Sequence, residues 1–183
     1  MTRLDELLSL HEEVRRCTKC PLHKTRKNAV PGEGSVEARI VFVGEAPGAS
    51  EDLSGRPFVG RSGEVLTELI GKMGLSRSEV FITSVLKSRP PDNRAPNQSE
   101  IDACLPYLKR QFQLIDPKIV VLMGNIAVSA VVGPWRISEC HGRFYDAEGR
   151  TFFMTYHPSA ALRFPRIRET TNKDFQTLRK QLG

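Results

Sequence analysis

The sequence of 183 residues has no long apolar run, only four cysteines and few aromatic residues. No stretch approaches the roughly 20 apolar residues of a membrane-spanning helix, so we expect no membrane partner. The N-terminal segment is charged throughout and has no signal-peptide core, which predicts a cytoplasmic location. In a chain without an export signal, four cysteines do not indicate a disulfide framework, so we expect the thiols to have another role.

The composition is typical of a folded, globular domain. Apolar residues make up 39% of the chain and charged residues 26%, which excludes a disordered polar segment. The length is enough for one compact core and too short for two ordinary domains. We therefore predict a single domain over residues 1–183.

Charge is distributed unevenly along the chain. Lysine and arginine number 27 against 21 aspartates and glutamates, a net charge of +6. Residues 15–27 contain six basic side chains and no acid, residues 150–183 are also basic, and residues 33–52 are acidic. This excess permits a nucleic-acid partner and hence a nucleoid-associated protein, although a charge run is equally well explained as a solvated face.

Short apolar strands alternate with helical segments. Strands are predicted at 39–43, 80–85 and 118–123, with a hairpin over 141–156. Helices are predicted at 3–16, 63–73 (capped by Ser62), 99–113, 125–132 and about 171–182. This alternation predicts an α/β fold with a largely parallel sheet covered on both faces. Ligands bind such sheets at the carboxyl ends of the strands, which are followed here by residues 44–63, 84–96 and 157–163.

Glu45 lies among glycines immediately after the first strand. The glycines of Gly44-Glu-Ala-Pro-Gly48 let the backbone approach a ligand, and a tight strand-to-helix connection is the structural alternative. The spacing matches neither a phosphate-binding loop nor a dinucleotide fingerprint. Glu45 could therefore position or activate a water molecule.

His157 follows the last predicted strand. A lone histidine more often has a structural role, but its place at the end of a strand favours catalysis. An imidazole at this position could donate a hydrogen bond to a developing anion.

Cys17-Thr-Lys-Cys20 forms a CxxC motif in an irregular, basic region. Redox pairs of this kind usually open a helix after a strand, and no strand precedes this one. The motif therefore favours metal or iron–sulphur ligation, with further ligands from distant positions. Cys104 and Cys140 are the other two cysteines.

Together these motifs resemble the family 4 uracil-DNA glycosylases, an iron–sulphur branch of their superfamily. The matching segments keep their order and span most of the chain: Cys17–Cys20, Val30–Gly34, Gly44–Gly48, Glu51-Asp52, Gly55–Gly60, Lys87, Arg89–Pro91, Cys104 and Tyr156–Arg163. The resemblance implies a three-layer αβα fold with a central four-stranded, mainly parallel sheet, and an N-terminal helix and cluster-binding loop within residues 1–38. It also implies a monofunctional, base-flipping hydrolase of deoxyuridine in single- and double-stranded DNA, which we expect to be monomeric.

The resemblance implies a role for each matching residue of the base site. Glu45 would position the attacking water, and His157 would stabilise negative charge on uracil O2. Phe58 would stack on the flipped base. The implied base-binding set is Gly44, Ala46, Pro47, Phe58 and Ser84.

A second group of matching residues would bind DNA. Ser159, Leu162 and Arg163 belong to the segment that, in the family, enters the minor groove and grips phosphates. This segment also fills the gap that the flipped nucleotide leaves.

Ser84 departs from the family pattern, which has asparagine at this position. A carboxamide both donates and accepts along the Watson–Crick edge of uracil, whereas a hydroxyl is shorter and has one proton. Two alternatives stay open: a glycosylase acting on hypoxanthine or xanthine, and a catalytically weak, cluster-bearing DNA-binding protein.

Ser88 also departs from the pattern, because the family has a cluster cysteine there. The predicted ligands of a 4Fe–4S cluster are therefore Cys17, Cys20, Ser88 and Cys104. Cys140 is an alternative fourth ligand, and a three-iron cluster or an absent cluster also stays open. A serine oxygen is a harder, less acidic ligand than a thiolate and should weaken the site. A plain zinc module built on Cys17 and Cys20 is a further alternative.

Overall fold

The computed structural model describes residues 1–183 and contains eight α-helices and one six-stranded sheet. The strands are β1 (Glu33–Gly34), β2 (Ile40–Gly44), β3 (Phe81–Ser84), β4 (Ile119–Met123), β5 (Phe144–Ala147) and β6 (Arg150–Thr155). The helices are α1 (Arg3–Arg15), α2 (Ala49–Ser54), α3 (Arg61–Lys72), α4 (Gln98–Ile115), α5 (Asn125–Val131), α6 (Ile137–Cys140), α7 (Pro158–Arg163) and α8 (Pro165–Leu182). None of the helices is long and apolar enough to cross a membrane.

The strand order is β1-β3-β2-β4-β6-β5. The four central strands are parallel, and the edge strands β1 and β5 pair antiparallel with β3 and β6. The predicted three-layer α/β fold with four parallel strands is therefore confirmed. The sheet has two edge strands beyond the four that the resemblance implies. Of these, β5 lies in the predicted hairpin over 141–156, whereas β1 has only two residues and leaves no periodic pattern in the sequence.

Successive residues of the central strands face opposite layers. Val41 and Val43 pack with residues of α1, α4, α5 and α6, whereas Ile40 and Phe42 pack with residues of α3, α7 and α8. Burial on both faces explains why these strands are continuously apolar rather than alternating.

Several helix boundaries differ from the prediction. The backbone of Gly60 caps α3, which begins at Arg61, so Ser62 lies inside the helix and is not its cap. The last helix, α8, begins at Pro165, because proline suits a first helical turn. The short helices α2, α6 and α7 were not predicted, since four to six residues are too few to show a helical period.

Candidate active site

Three loops at the carboxyl ends of β2, β3 and β6 enclose a cavity of about 200 Å³. Its lining includes most of the residues predicted for the base site: Glu45, Ala46, Pro47, Phe58, Ser84, His157 and Ser159. The structure thus brings together side chains that are more than 100 positions apart in the sequence.

Phe58 is buried against the end of β2 in a left-handed backbone conformation, with φ of 49°. The absence of side chains at two glycines makes this possible. A Cβ on Gly44 would overlap the ring of Phe58, and a Cβ on Gly63 would overlap its carbonyl. Because non-glycine residues rarely adopt positive φ, the surrounding structure must hold Phe58 in place.

Glu51 and Arg77 hold the loop that carries Phe58. The Glu51 carboxylate accepts hydrogen bonds from the backbone N–H groups of Gly48, Val59 and Gly60, at 2.9–3.1 Å. The Arg77 guanidinium donates to the carbonyls of Pro57 and Phe58, at 2.7 and 2.9 Å, and pairs with Glu33 at 2.8 Å. These contacts fix both ends of the loop.

The sequence alone does not predict that Glu51 and Arg77 hold the loop of Phe58. Glu51 follows Gly48 by three residues, the spacing of a capping box, and that pattern could have indicated its contact. Arg77 lies in a different segment and has no local signal that would connect it to Phe58.

His157 begins α7 and forms one wall of the cavity. Its Nδ1 accepts a hydrogen bond from the backbone N–H of Ser159 at 3.1 Å and lies 2.8 Å from the Ser159 hydroxyl. Burial lowers the pKa of His157 to about 4, so the ring is neutral at pH 7. The ring also packs against Phe58 with centroids 5.6 Å apart.

Glu45 lies directly after β2, and burial raises the pKa of its carboxyl group above the ordinary value. The Glu45 side chain makes no hydrogen bond or ion pair within the protein, while its backbone carbonyl accepts a bond from Leu86 at 3.0 Å. The carboxylate is therefore available to a ligand in the cavity.

Ser84 ends β3 and is buried at the cavity wall. Its hydroxyl makes no hydrogen bond within the protein, whereas its carbonyl accepts one from the Lys87 ammonium at 2.7 Å. The same ammonium donates to the side chains of Thr83 and Gln111, at 2.5 and 2.8 Å. Lys87 thus anchors the end of β3, and the Ser84 hydroxyl is free to bind a ligand in the cavity.

The three predicted DNA-binding residues are placed differently from one another. Ser159 belongs to the base cavity and to an adjoining groove of about 420 Å³. Leu162 and Arg163 line only that groove, together with Arg61. Leu162 is half-buried and packs against the core formed by α3 and α8.

Cys17, Cys20, Cys104 and Ser88 occupy one neighbourhood, outside the lining of the cavity. The Arg26 guanidinium joins two of them, donating to Ser88 Oγ at 2.9 Å and to the Cys17 carbonyl at 2.8 Å. Burial raises the pKa of the Cys104 thiol, and the charges of Cys20 and Cys17 add to this rise. No three His, Cys, Asp or Glu side chains stand in a geometry that would hold a single metal ion.

Cys140 lies in a different environment. It belongs to α6, which packs on β6. Burial raises the pKa of its thiol, and the charges that act on it are those of Arg143 and Glu139 rather than those of the other cysteines. This placement favours Ser88 over Cys140 as the fourth residue beside Cys17, Cys20 and Cys104.

Asp52, in α2, connects the segment that follows Cys17 and Cys20 to the segment that follows β2 and lines the cavity. Its buried carboxylate accepts hydrogen bonds from the backbone N–H groups of Lys27 and Asn28, at 2.8 and 3.2 Å. The Asn28 amide donates in return to the carbonyls of Asp52 and Leu53. Two residues further on, the Val30 N–H donates to the Lys87 carbonyl at 2.7 Å, and Val30 lines the base cavity.

This fold and this cavity belong to a known class of proteins. The model of the uracil DNA glycosylase superfamily matches residues 31–183. The chain therefore belongs to the uracil DNA glycosylase superfamily.

Within the superfamily, the chain is similar to type-4 enzymes. It is 46% identical to the type-4 uracil-DNA glycosylase of Pyrobaculum aerophilum, with 92% of this chain and 91% of the relative covered. It is also 46% identical to that of Saccharolobus solfataricus (98% and 88% covered) and 42% identical to that of Archaeoglobus fulgidus (100% and 95% covered). The resemblance to family 4 that the motifs indicated is confirmed.

Proposed function

We propose that the protein is a DNA-repair hydrolase that releases uracil from DNA by cleaving the N-glycosidic bond of deoxyuridine. The observation that carries this proposal is the joint placement of Glu45, Phe58 and a neutral His157 around one small cavity. The similarity to type-4 uracil-DNA glycosylases supports the same activity.

The cavity is about the size of one base and cannot admit a duplex. The target nucleotide therefore has to leave the base stack, at a cost of a few kcal/mol. Phe58 would then stack on the extruded base. Its strained conformation and its two clamps suit a rigid platform that does not move when the base enters.

His157 would stabilise the leaving base. The N–H of Ser159 can only donate, so Nδ1 of His157 carries no proton and Nε2 carries one. As the glycosidic bond stretches, negative charge develops on uracil O2, and Nε2–H is a donor suited to it. A neutral donor does not itself lose a proton to the base and needs no rearrangement.

Glu45 would act on the sugar side. Its ionised carboxylate can orient a water molecule for attack at the anomeric carbon and offset the charge of an oxocarbenium-like sugar. The backbone of Ala46 and Pro47 lines the same wall and would help to fix the water and the base.

We further propose a monofunctional enzyme, without a strand-cleaving step. Such a step needs an amine nucleophile, and no lysine lines the cavity. Lys87 is fully buried, and its ammonium is occupied by Thr83, Ser84 and Gln111.

Ser84 would read the base through its free hydroxyl. A hydroxyl has one proton on a single oxygen atom, so it does not span a donor and an acceptor of one base edge as the separate oxygen and nitrogen of a carboxamide do. We expect weaker discrimination than an asparagine provides. Release of hypoxanthine or xanthine is therefore the second candidate activity.

An iron–sulphur cluster is proposed as the cofactor, held by Cys17, Cys20 and Cys104 with Ser88 as the fourth ligand. The donor set fits: three soft thiols stand in one neighbourhood, and ligands of a four-iron cluster lie further apart than those of a single ion. Ser88 is buried, its oxygen accepts from Arg26, and its hydroxyl proton has no acceptor in the protein. The positive charge of Arg26 would offset the negative charge of the thiolates.

DNA would be held by the basic segments at 15–27 and 150–183, with an affinity that falls steeply as salt rises. A monomer suffices, because the three loops that form the cavity belong to one chain. We also propose a cytoplasmic location at the nucleoid, because the proposed substrate is DNA.

A base-release assay tests these proposals. Oligonucleotides carrying uracil, hypoxanthine or xanthine are compared in single- and double-stranded form with the wild type, Ser84→Asn and His157→Ala. We expect release of uracil by the wild type, faster release by Ser84→Asn and strong loss in His157→Ala. Binding without release of any base would instead support a DNA-binding protein without activity.

A further inference from the structure

Phe164 is an exposed aromatic side chain at the junction of α7 and α8. It is 55% exposed, more than Trp135, the other large aromatic side chain at the surface. Phe164 follows Arg163, which lines the groove next to the base cavity. Covering an exposed aromatic ring with an apolar partner is favourable, and the position of this ring next to a groove residue suits such a contact.

The backbone at Phe164 is held rigidly. Its N–H donates to the Ala160 carbonyl at 2.9 Å, and its carbonyl accepts from the Arg168 N–H at 3.0 Å. Phe164 thus ends α7 and begins α8, with Pro165 fixing the next φ. The ring is presented on a firm support rather than on a loose loop.

Leu162, in contrast, is committed to the protein interior. It is half-buried and packs against the core that α3 and α8 cover. Inserting its side chain into DNA would remove these contacts. Phe164, at 55% exposed, has less buried surface to lose.

Three arginines have no carboxylate partner: Arg61 and Arg163, which line the groove, and Arg166, which follows Phe164 by two residues. Arg168, on the same face, is paired with Glu68 at 2.9 Å. Unpaired guanidinium groups beside an exposed ring match a duplex, whose phosphates are anionic and whose base steps are apolar.

We propose that Phe164, rather than Leu162, is the wedge that enters the DNA duplex beside the extruded nucleotide and keeps the base stack open. Proteins that unstack DNA commonly insert an apolar or aromatic side chain at the distorted step. The inference rests on the proposed extrusion of the target base. It assigns Phe164 a positioning role on duplex DNA and none in bond cleavage.

The test compares uracil release from duplex and single-stranded oligonucleotides. A single strand has no partner stack to open, so it does not need the wedge. We expect Phe164→Ala to lower single-turnover release from the duplex about 10-fold or more, and release from the single strand less than about 3-fold. Phe164→Trp should restore the duplex rate, and Trp135→Ala, which removes an aromatic ring elsewhere on the surface, should change neither rate.

A second readout does not depend on the chemistry. 2-Aminopurine next to the target nucleotide brightens when its neighbour leaves the stack, and Phe164→Ala should reduce this signal in the duplex. Leu162→Ala should lower thermal stability and affect both substrates equally. Equal loss on both substrates in Phe164→Ala, or an unchanged fluorescence signal, overturns the inference. A wild type that brightens 2-aminopurine but releases no base overturns the proposed function and leaves the wedge supported.

Discussion

The backbone N–H of Ser159 donates a hydrogen bond of 3.1 Å to Nδ1 of His157. Because this nitrogen accepts, the proton of the neutral ring lies on Nε2. Burial lowers the pKa of His157 to about 4, so the same tautomer persists across the physiological pH range. The fold therefore presents a neutral hydrogen-bond donor to the cavity, set by a main-chain group that side-chain substitution does not remove.

Replacing His157 by alanine removes that donor. We expect His157→Ala to lower single-turnover uracil release about 100- to 1,000-fold, the usual effect of losing one donor to a developing anion. Duplex affinity should stay within a few-fold, because phosphate contacts dominate it. Ser159→Ala is the control: the N–H remains, so the loss should be much smaller. Comparable losses in the two variants would contradict the importance of the main-chain contact.

The acid side of the pH–rate profile should report Glu45. Burial raises the pKa of this carboxyl group, and the ionised form is the active one. Release should therefore fall as the pH drops through a value above 4.5, before His157 gains a proton near pH 4. Single-turnover rates between pH 4 and 8 measure this fall in rate. Glu45→Gln should release uracil slowly and show no such fall. A fall at low pH that persists in Glu45→Gln would refute the assignment.

Gly44 is required for the position of Phe58. A methyl group on Gly44 would overlap the Phe58 ring, so Gly44→Ala should displace the platform on which the base stacks. We expect a loss of kcat/KM of about 10-fold or more on single strands, where duplex opening plays no part, which is the size of one stacking contact. Steady-state kinetics and circular dichroism together measure activity and fold.

Gly71 offers a matched control for Gly44. It lies within α3, and a Cβ there would meet nothing within 4 Å. Gly71→Ala should leave activity unchanged and stabilise the protein by about 0.4–1 kcal/mol, because alanine restricts the unfolded chain. If Gly71→Ala lowered activity as much as Gly44→Ala, contact with Phe58 would not explain the loss.

Ser88 should determine how firmly iron is held. Replacing its oxygen by a thiolate provides the softer ligand that iron–sulphur clusters prefer, so Ser88→Cys should bind more iron per chain and lose it more slowly to a chelator. Elemental analysis and visible absorption measure both. Cys140→Ser is the control and should leave the iron content unchanged. Loss of iron in Cys140→Ser would make Cys140 the fourth ligand instead of Ser88.

The sequence was informative where chemistry follows the strand order. Glu45 and His157 follow parallel strands and Ser84 ends one, and the carboxyl ends of parallel strands meet. Their convergence on one cavity was therefore predictable. The cavity itself confirms that these side chains lie together, whereas their catalytic roles stay predictions.

Features that depend on tertiary contacts were not predictable. The left-handed conformation of Phe58 depends on the nearby Gly63 and on Arg77, which lies beyond α3. The half-burial of Leu162 depends on α3 and α8, so the sequence did not separate it from the exposed Phe164. Local sequence patterns indicate helical or strand periodicity and helix caps, but they do not indicate which distant residues contact a given side chain.

The hydrogen bonds between Asp52 and residues 27 and 28 bear on how this protein could change over evolutionary time. In them, two backbone N–H groups after Cys17 and Cys20 donate to the Asp52 side chain in α2, so this anchor involves no thiol. We expect a loop anchored in this way to keep its path when one cysteine is exchanged for serine. On that expectation, the identity of a cofactor ligand and the shape of the cavity are traits that selection can change separately within a single domain.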